Sequence, residues 1–232
     1  MQQLKSLKAR IRLLMFKHIW ILDKLLSKWL IRISYFLKCS RWFAEHKIPF
    51  FEGGRIAFYD YLIRSEQLEK NPFAYLEFGV SKGGSFMYWL DHCKNNSTEF
   101  VGFDTFEGIP EDWGSVKAGA YSAGGNIPET NDRRANFQIG LFNETLPPFL
   151  VNNTLEKRLV IHLDADLYSS TLYVLINLHS RFKKDDILIF DEFFSVTKAD
   201  HEFRAFLDYL SICKHEFIAI AKAPNQFAIK LL

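Results

Sequence analysis

The chain has 232 residues, 48% of them apolar and 24% charged, enough to bury one sizeable core with a small appendage. Its three cysteines, Cys39, Cys93 and Cys213, are few and far apart, which excludes a disulfide framework and a cysteine zinc site and points to a reducing, cytoplasmic setting. The net charge of +2 hides an asymmetry: residues 1–41 hold ten of the 29 Lys and Arg but one of the 27 Asp and Glu, which leaves 19 against 26, a net of −7, for the rest and excludes nucleic acid as a partner of the body.

The basic segment, taken as residues 1–48, carries apolar side chains at helical spacing: Leu4, Leu7, Ile11, Leu14, Met15, Ile19, Leu22, Leu25, Leu26, Trp29, Leu30, Ile33 and Leu37. No run reaches the 18 uncharged apolar residues of a membrane span, and basic residues interrupt any signal-peptide core. Two readings stay open. The helix packs on the body or on a second copy of the chain, or it lies on the anionic inner face of a membrane with Trp20, Trp29 and Trp42 at the interface.

The body, residues 49–232, reads as alternating strands and helices. A helix from about Arg55 precedes Ala74-Tyr-Leu-Glu-Phe-Gly-Val-Ser-Lys-Gly-Gly-Ser85, which has the pattern of a strand, a glycine-rich turn and a helix start. Gly79, Gly83 and Gly84 let backbone approach a ligand closely, and Glu77 suits one bearing an ammonium or sulfonium rather than a pyrophosphate. Because Ser81 replaces the second glycine, this is not the G-x-G-x-x-G turn of dinucleotide enzymes. A second strand, Glu99–Asp104, ends on an acid 25 residues after Gly79, where doubly wound nucleotide-binding folds place the carboxylate that accepts ribose hydroxyls. Residues 105–134 are rich in Gly, Pro and acids and carry Trp113 and Tyr121, the composition of a lid. A third strand, Ala135–Ile139, leads through a loop over 140–148 to a short helix.

The centre of the chain is Leu159-Val-Ile-His-Leu-Asp-Ala-Asp-Leu-Tyr168 and its echo Ile187-Leu-Ile-Phe-Asp-Glu192, two apolar runs that end on carboxylates, with a helical stretch over 169–181 between them. Strand, helix, strand makes a parallel βαβ unit whose ligands bind beyond the carboxyl ends of its strands. Neighbouring strands lie about 5 Å apart, so Asp164, Asp191 and Glu192 converge, and like charges that close need a cation or protons. Oxygen donors without nearby cysteine suit a hard divalent metal, magnesium first. His162 reads either as a core histidine or as a base, with His201 a further base. Thr197-Lys-Ala-Asp200 has the form of a capping box opening a helix to about Ser211, and strands over 216–221 and 226–231 flank Pro224-Asn225, an antiparallel hairpin.

At the level of motifs, Leu76-Glu-Phe-Gly-Val-Ser-Lys-Gly-Gly-Ser85, Phe103-Asp-Thr-Phe-Glu-Gly-Ile-Pro-Glu-Asp-Trp113, Thr145-Leu-Pro-Pro148, His162-Leu-Asp-Ala-Asp-Leu-Tyr-Ser-Ser-Thr171 and Ile189-Phe-Asp-Glu192 resemble the macrocin/mycinamicin/novobiocin O-methyltransferase family over about residues 53–232. The resemblance implies an α/β fold of the class I S-adenosylmethionine-dependent methyltransferases, a doubly wound, mostly parallel seven-stranded Rossmann-like sheet closed by an antiparallel hairpin. It implies S-adenosylmethionine against Glu77, Gly79, Ser81, Gly83, Gly84, Ser85 and Asp104, with the last at the ribose. It implies magnesium on Asp164, Asp191 and Glu192, with Asp164 also the catalytic base, and an acceptor that is a sugar, glycan or glycosylated small molecule. Glu192 departs from the family, whose characterised macrolide enzymes carry aspartate there. A carboxylate-metal hydrolase or oxygenase on a similar sheet, or a non-catalytic cofactor- or membrane-binding module, is the alternative.

Overall fold

The structure is a computed structural model that describes residues 2–46, 48, 50–51, 53–113, 115–194, 198 and 200–232, with side chains in the first helix described for 7–8, 10–16 and 26–45. Leu4, Ile19, Trp20, Leu22 and Leu25 of the basic stripe, and Thr197 and Ala199 of the expected capping box, lie outside the described side chains or residues.

Seven strands, β1 (Phe73–Phe78), β2 (Glu99–Asp104), β3 (Ala135–Ile139), β4 (Arg158–Leu163), β5 (Ile187–Phe190), β6 (Phe217–Lys222) and β7 (Phe227–Leu231), form one sheet in the order β3-β2-β1-β4-β5-β7-β6. β1 to β5 pair in parallel, and β7 pairs antiparallel with both β5 and β6. The expected doubly wound sheet with a closing hairpin is the observed one. Strand order reverses between β1 and β4, so the crevice beyond their carboxyl ends is where this topology accepts a ligand.

Each face of the sheet carries its own core. Leu76, Phe78, Phe103, Ile161, Leu163, Leu188 and Phe190 point to the layer of α4 (Phe142–Asn152), α5 (Tyr168–Leu178) and α6 (Glu202–Cys213). Phe73, Tyr75, Phe100, Val160, Ile187 and Ile189 face α2 (Gly54–Ser65) and α3 (Gly84–His92). Alternation along a strand splits the two sets, and burial of both faces explains why these strands read as continuous apolar runs.

One boundary differs from expectation. α4 begins at Phe142, inside the span read as a loop, and carries Pro147 and Pro148 within it. The Glu144 carboxylate accepts the Leu141 N–H at 3.3 Å and Thr145 Oγ1 donates to the Leu141 carbonyl at 3.0 Å, so the first turn is capped. Proline's fixed φ is helical even though its amide donor is lost, and burial of Leu146 and Phe149 holds the helix on the sheet.

α1 (Gln2–Glu45) is one 44-residue helix. Its last turns are part of the core: Cys39 is fully buried, and Trp42 lies 5.3 Å from the ring of Phe227 and 6.1–6.4 Å from Phe193, Phe203, Phe206 and Phe217. Arg32 pairs with Asp200 at 3.7 Å. Upstream, Leu7, Ile11, Leu13, Leu14, Met15 and Phe16 are exposed. No helix among the described residues is long and apolar enough to cross a membrane. Packing therefore claims the end of the helix and leaves its first half free of the body among the described side chains.

Trp42→Ala should cost about 3 kcal/mol, the usual scale for emptying an aromatic site, and lower the melting temperature by roughly 6–12 °C for a chain of this size. Deleting residues 1–31 should leave the melting temperature of the body unchanged, as thermal unfolding followed by circular dichroism will read.

Candidate active site

The glycine turn is fixed by a close approach. β1 runs out at Phe78, and Gly79 (φ +96°) passes so near the end of β4 that an added Cβ would sit 1.9 Å from the Asp164 carbonyl oxygen. Glycine is required there. Asp104, at the end of β2, then ties the turn to the next loop. Its Oδ2 accepts the N–H groups of Val80 at 2.7 Å and Ser81 at 2.6 Å, and its Oδ1 accepts that of Phe106 at 2.7 Å.

A cavity of about 580 Å³ opens above these strand ends, within the usual range for small-molecule sites. Of the residues expected at the cofactor, Gly79, Ser81 and Asp104 line it. Glu77, Gly83, Gly84 and Ser85 do not: Glu77 and Ser85 are buried, Gly83 lies against Pro128 and Gly84 is exposed. Glu77 is fully buried and accepts hydrogen bonds from Tyr75 Oη at 2.5 Å and Ser85 Oγ at 2.6 Å, so its carboxylate faces the interior rather than the cavity.

Parallel register sets the acids side by side. The Asp164 N–H donates to the Phe78 carbonyl at 2.9 Å, and the Asp191 N–H to the Leu163 carbonyl at 3.0 Å, so both acids sit one step beyond their strands. Asp164 and Asp191 come together with His162, each offering a ligand atom within 4.8 Å of the others. Glu192 lines the same cavity, but its carboxylate turns towards Lys198, 3.9 Å away, and is not in that cluster.

Two protein cations already occupy this ground. His162 is fully buried; Tyr75 and Tyr59 lie 2.8 and 3.3 Å from its two ring nitrogens, which face Glu77 at 3.5 Å and Asp191 at 3.7 Å. Burial alone would lower its pKa, but the facing carboxylates of Asp191 and Glu77 outweigh that and push it up to about 10. That shift favours the imidazolium at neutral pH and a structural role over that of a base. On the cavity side, the Arg55 guanidinium binds Asp191 Oδ2 and lies 3.9 Å from Asp164 Oδ2. Burial, reinforced by Asp191, pushes the Asp164 carboxyl well above the usual range, which marks a site still short of positive charge. Two oxygen donors on neighbouring strands in a charge-deficient cavity fit a hard divalent cation.

Asp166 also lines the cavity, in a left-handed backbone conformation (φ +58°) that is costly for a non-glycine residue, and burial raises its carboxyl to about 7. His201 is displaced from the reaction space: it packs against Trp113 at 5.9 Å, and its pKa is lowered by burial. Glu202 is buried, accepting the Glu192 N–H at 2.9 Å, and Arg204 stacks on Tyr168 at 4.2 Å.

The span 105–134 covers one side of the cavity. Trp113 is buried under Lys198, whose Nζ lies 3.2 Å from the ring centre, and Glu111 accepts a hydrogen bond from Ser169 Oγ at 2.5 Å. Its own turns are sewn together by Ile109–Ala120 and Phe106–Ala123 backbone bonds at 3.0 Å. Arg55 and Lys198 are the site residues that sequence reasoning missed. Arg55 belongs to no motif and reaches the cavity from α2, remote in sequence from the strand ends, while Lys198, in the segment after β5, was read only as part of a capping box.

Sheet order, switch-point crevice and glycine turn define a methyltransferase of the S-adenosylmethionine-dependent class I fold. The chain belongs to the methyltransferase domain family, which matches residues 76–193, just over half of its length. Solved structures similar to it include the calicheamicin methyltransferase CalS11 (21% identity, 75% of this chain and 77% of that one, TM-score 0.60) and the O-methyltransferase NovP (21%, 75% and 76%, TM-score 0.50). The methyltransferase PaMTH1 of Podospora anserina, bound to S-adenosylhomocysteine, aligns at 13% identity over 87% of this chain and 88% of that one, with a TM-score of 0.53. These likenesses establish the fold. No curated protein matches the sequence.

The His162 assignment has a pH signature. A folded-state pKa near 10 against an ordinary 6.5 gives stabilisation that is fully present below about pH 6.5 and lost as pH rises towards 10. Melting temperature should fall across that window in the wild type, and His162→Gln should flatten the slope. A flat wild-type profile between pH 6.5 and 10 would show a neutral imidazole.

Proposed function

We propose that this methyltransferase moves the methyl group of S-adenosylmethionine onto a hydroxyl oxygen of a sugar, glycan or glycosylated small molecule, with a divalent cation, magnesium first, at the strand-end acids. The observation that carries the reading is that one cavity is lined both by Gly79, Ser81 and Asp104 of the glycine turn and by Asp164 and Asp191 at the adjoining strand ends. Two similar structures support an oxygen acceptor: CalS11 is described as a TDP-rhamnose 3'-O-methyltransferase, at 23% identity and a TM-score of 0.54, and NovP as an O-methyltransferase.

In the transfer, an acceptor oxygen lone pair forms the new C–O bond while the sulfonium C–S bond breaks. A thioether and one proton are left. Asp164 and Asp191 would hold the cation, with Glu192 at the rim, and its chemistry there is to make the acceptor hydroxyl more acidic. Asp164, carrying the more exposed of the two inner carboxylates, would take the proton, its raised pKa being brought down by the cation beside it. Asp104 orders the turn on which the cofactor lies, and its carboxylate has lone-pair capacity left for a ribose hydroxyl. Glu111 on Ser169 and Trp113 under Lys198 keep water from the reacting atoms.

Calorimetric titration with S-adenosylhomocysteine, with and without magnesium, tests cofactor and cation together. Asp164→Asn should bind the cofactor about as tightly as the wild type yet lose methyl transfer to a glycosylated acceptor by at least about 10²-fold, the low end for general-base assistance. Chelator should reproduce that loss and magnesium reverse it. Full turnover in excess chelator would refute the cation.

The first half of α1 supports a peripheral contact with an anionic membrane surface. Leu7, Ile11, Leu14 and Met15 share one exposed face, flanked by Lys8, Arg10 and Arg12. The full chain should float with phosphatidylserine-containing vesicles at low salt, and a chain lacking residues 1–31 should not. Failure to float, with a larger oligomer for the full chain than for the truncated one, would assign the face to self-association.

A further inference from the structure

We infer that Arg55 is a resident counter-cation of the carboxylate pair, and that a divalent metal must displace its guanidinium to bind. The inference rests on the cation reading above and adds a residue that competes for the site. Asp191 has a side chain 1% exposed, and its inner oxygen is engaged: Oδ1 accepts from Gln226 Nε2 at 3.3 Å and faces the His162 ring at 3.7 Å. The oxygen left towards the cavity is Oδ2, the atom Arg55 holds. The other guanidinium nitrogen lies 3.9 Å from Asp164 Oδ2. A metal held by Asp164 and Asp191 would draw on Asp191 Oδ2, the oxygen of that residue left towards the cavity, so it competes with the guanidinium for that atom and repels its positive charge. The acids have little freedom to move aside, because each is tied through its backbone N–H to the neighbouring strand.

Arg55 does have that freedom. Its side chain is 43% exposed and lines the cavity. It is the second residue of α2, directly after Gly53 and Gly54, and Gly54 (φ +74°) stands in open space. Without a metal, the guanidinium relieves repulsion between two carboxylates at the ends of adjacent strands; with one, it is released into the ligand cavity. Selection for such a residue makes sense where the strand ends must stay together before metal arrives, and it makes metal binding weaker than the bare donor set would give.

The test titrates MnCl₂ and MgCl₂ calorimetrically into wild type, Arg55→Met, Arg55→Gln and Arg55→Lys, all without cofactor, and follows melting of each. Competition predicts that Arg55→Met and Arg55→Gln bind metal at least about tenfold tighter than wild type, the equivalent of one lost competing contact. They should melt lower without metal and gain more on adding it. Arg55→Lys, which keeps the charge, should stay close to wild type. Low-millimolar guanidinium should weaken metal binding to Arg55→Met. Equal or weaker binding by both neutral variants would overturn the competition while leaving the cation reading intact. Absence of binding to any of the four at millimolar metal would overturn both.

Discussion

Burying carboxylates at the carboxyl ends of parallel strands is the constraint on which this architecture turns. Glu77 and Asp191 are almost wholly removed from water, and Asp164 is largely so. Isolated, each would cost several kcal/mol or take up a proton. The chain meets that cost from the middle of its own sheet: His162, paired across the ladder with Glu77, lies between Glu77 and Asp191, which raise its pKa and favour the imidazolium. Tyr59 and Tyr75 are the hydrogen-bond partners of its two ring nitrogens, and Arg55 closes the outer side. The result is a charged line through the core from Ser85 to the cavity, with a stabilising half inside and a ligand-facing half outside.

That division separates the turn's structural acid from its working ones. Glu77 sits two residues before Gly79 yet faces inward, so the cavity wall near Gly79 is built from backbone and from Asp104. Asp104 in turn spends three backbone contacts on ordering two loops, which fixes the geometry of the turn before any ligand arrives. Preorganisation of this kind lowers the entropic cost of binding a flexible cofactor.

The covering segment and α1 solve related problems at the edges. Trp113, Lys198 and Ser169 join the span 105–134 to the segment after β5 and to α5, so the cavity is walled by three separate stretches of chain. Trp42 plugs the aromatic floor formed by Phe193, Phe203, Phe206, Phe217 and Phe227, anchoring a long helix near its C-terminal end. α1 is thus one continuous helix with two different environments.

Much of this was legible in the sequence. Apolar runs ending on acids located β2, β4 and β5, and the glycine turn located β1, because a strand buried on both faces is mostly apolar and turns polar chiefly where it emerges. The short connection at Pro224-Asn225 dictated the antiparallel pair, since no crossover fits in it. Long motifs in the right order pointed to the methyltransferase fold. The start of α4 was hidden by Pro147 and Pro148, which read as helix breakers although their fixed φ is helical. What only the tertiary structure decided was direction and company. Period-two alternation placed His162 and Asp164 on one face, but the protonation of His162 depends on Glu77 and Asp191 arriving from two other strands. Arg55, 109 residues before Asp164, carries no motif and reaches the acids because α2 packs against the sheet face beneath them. Charge pairing is a property of distances in space, and a sequence records distances along the chain.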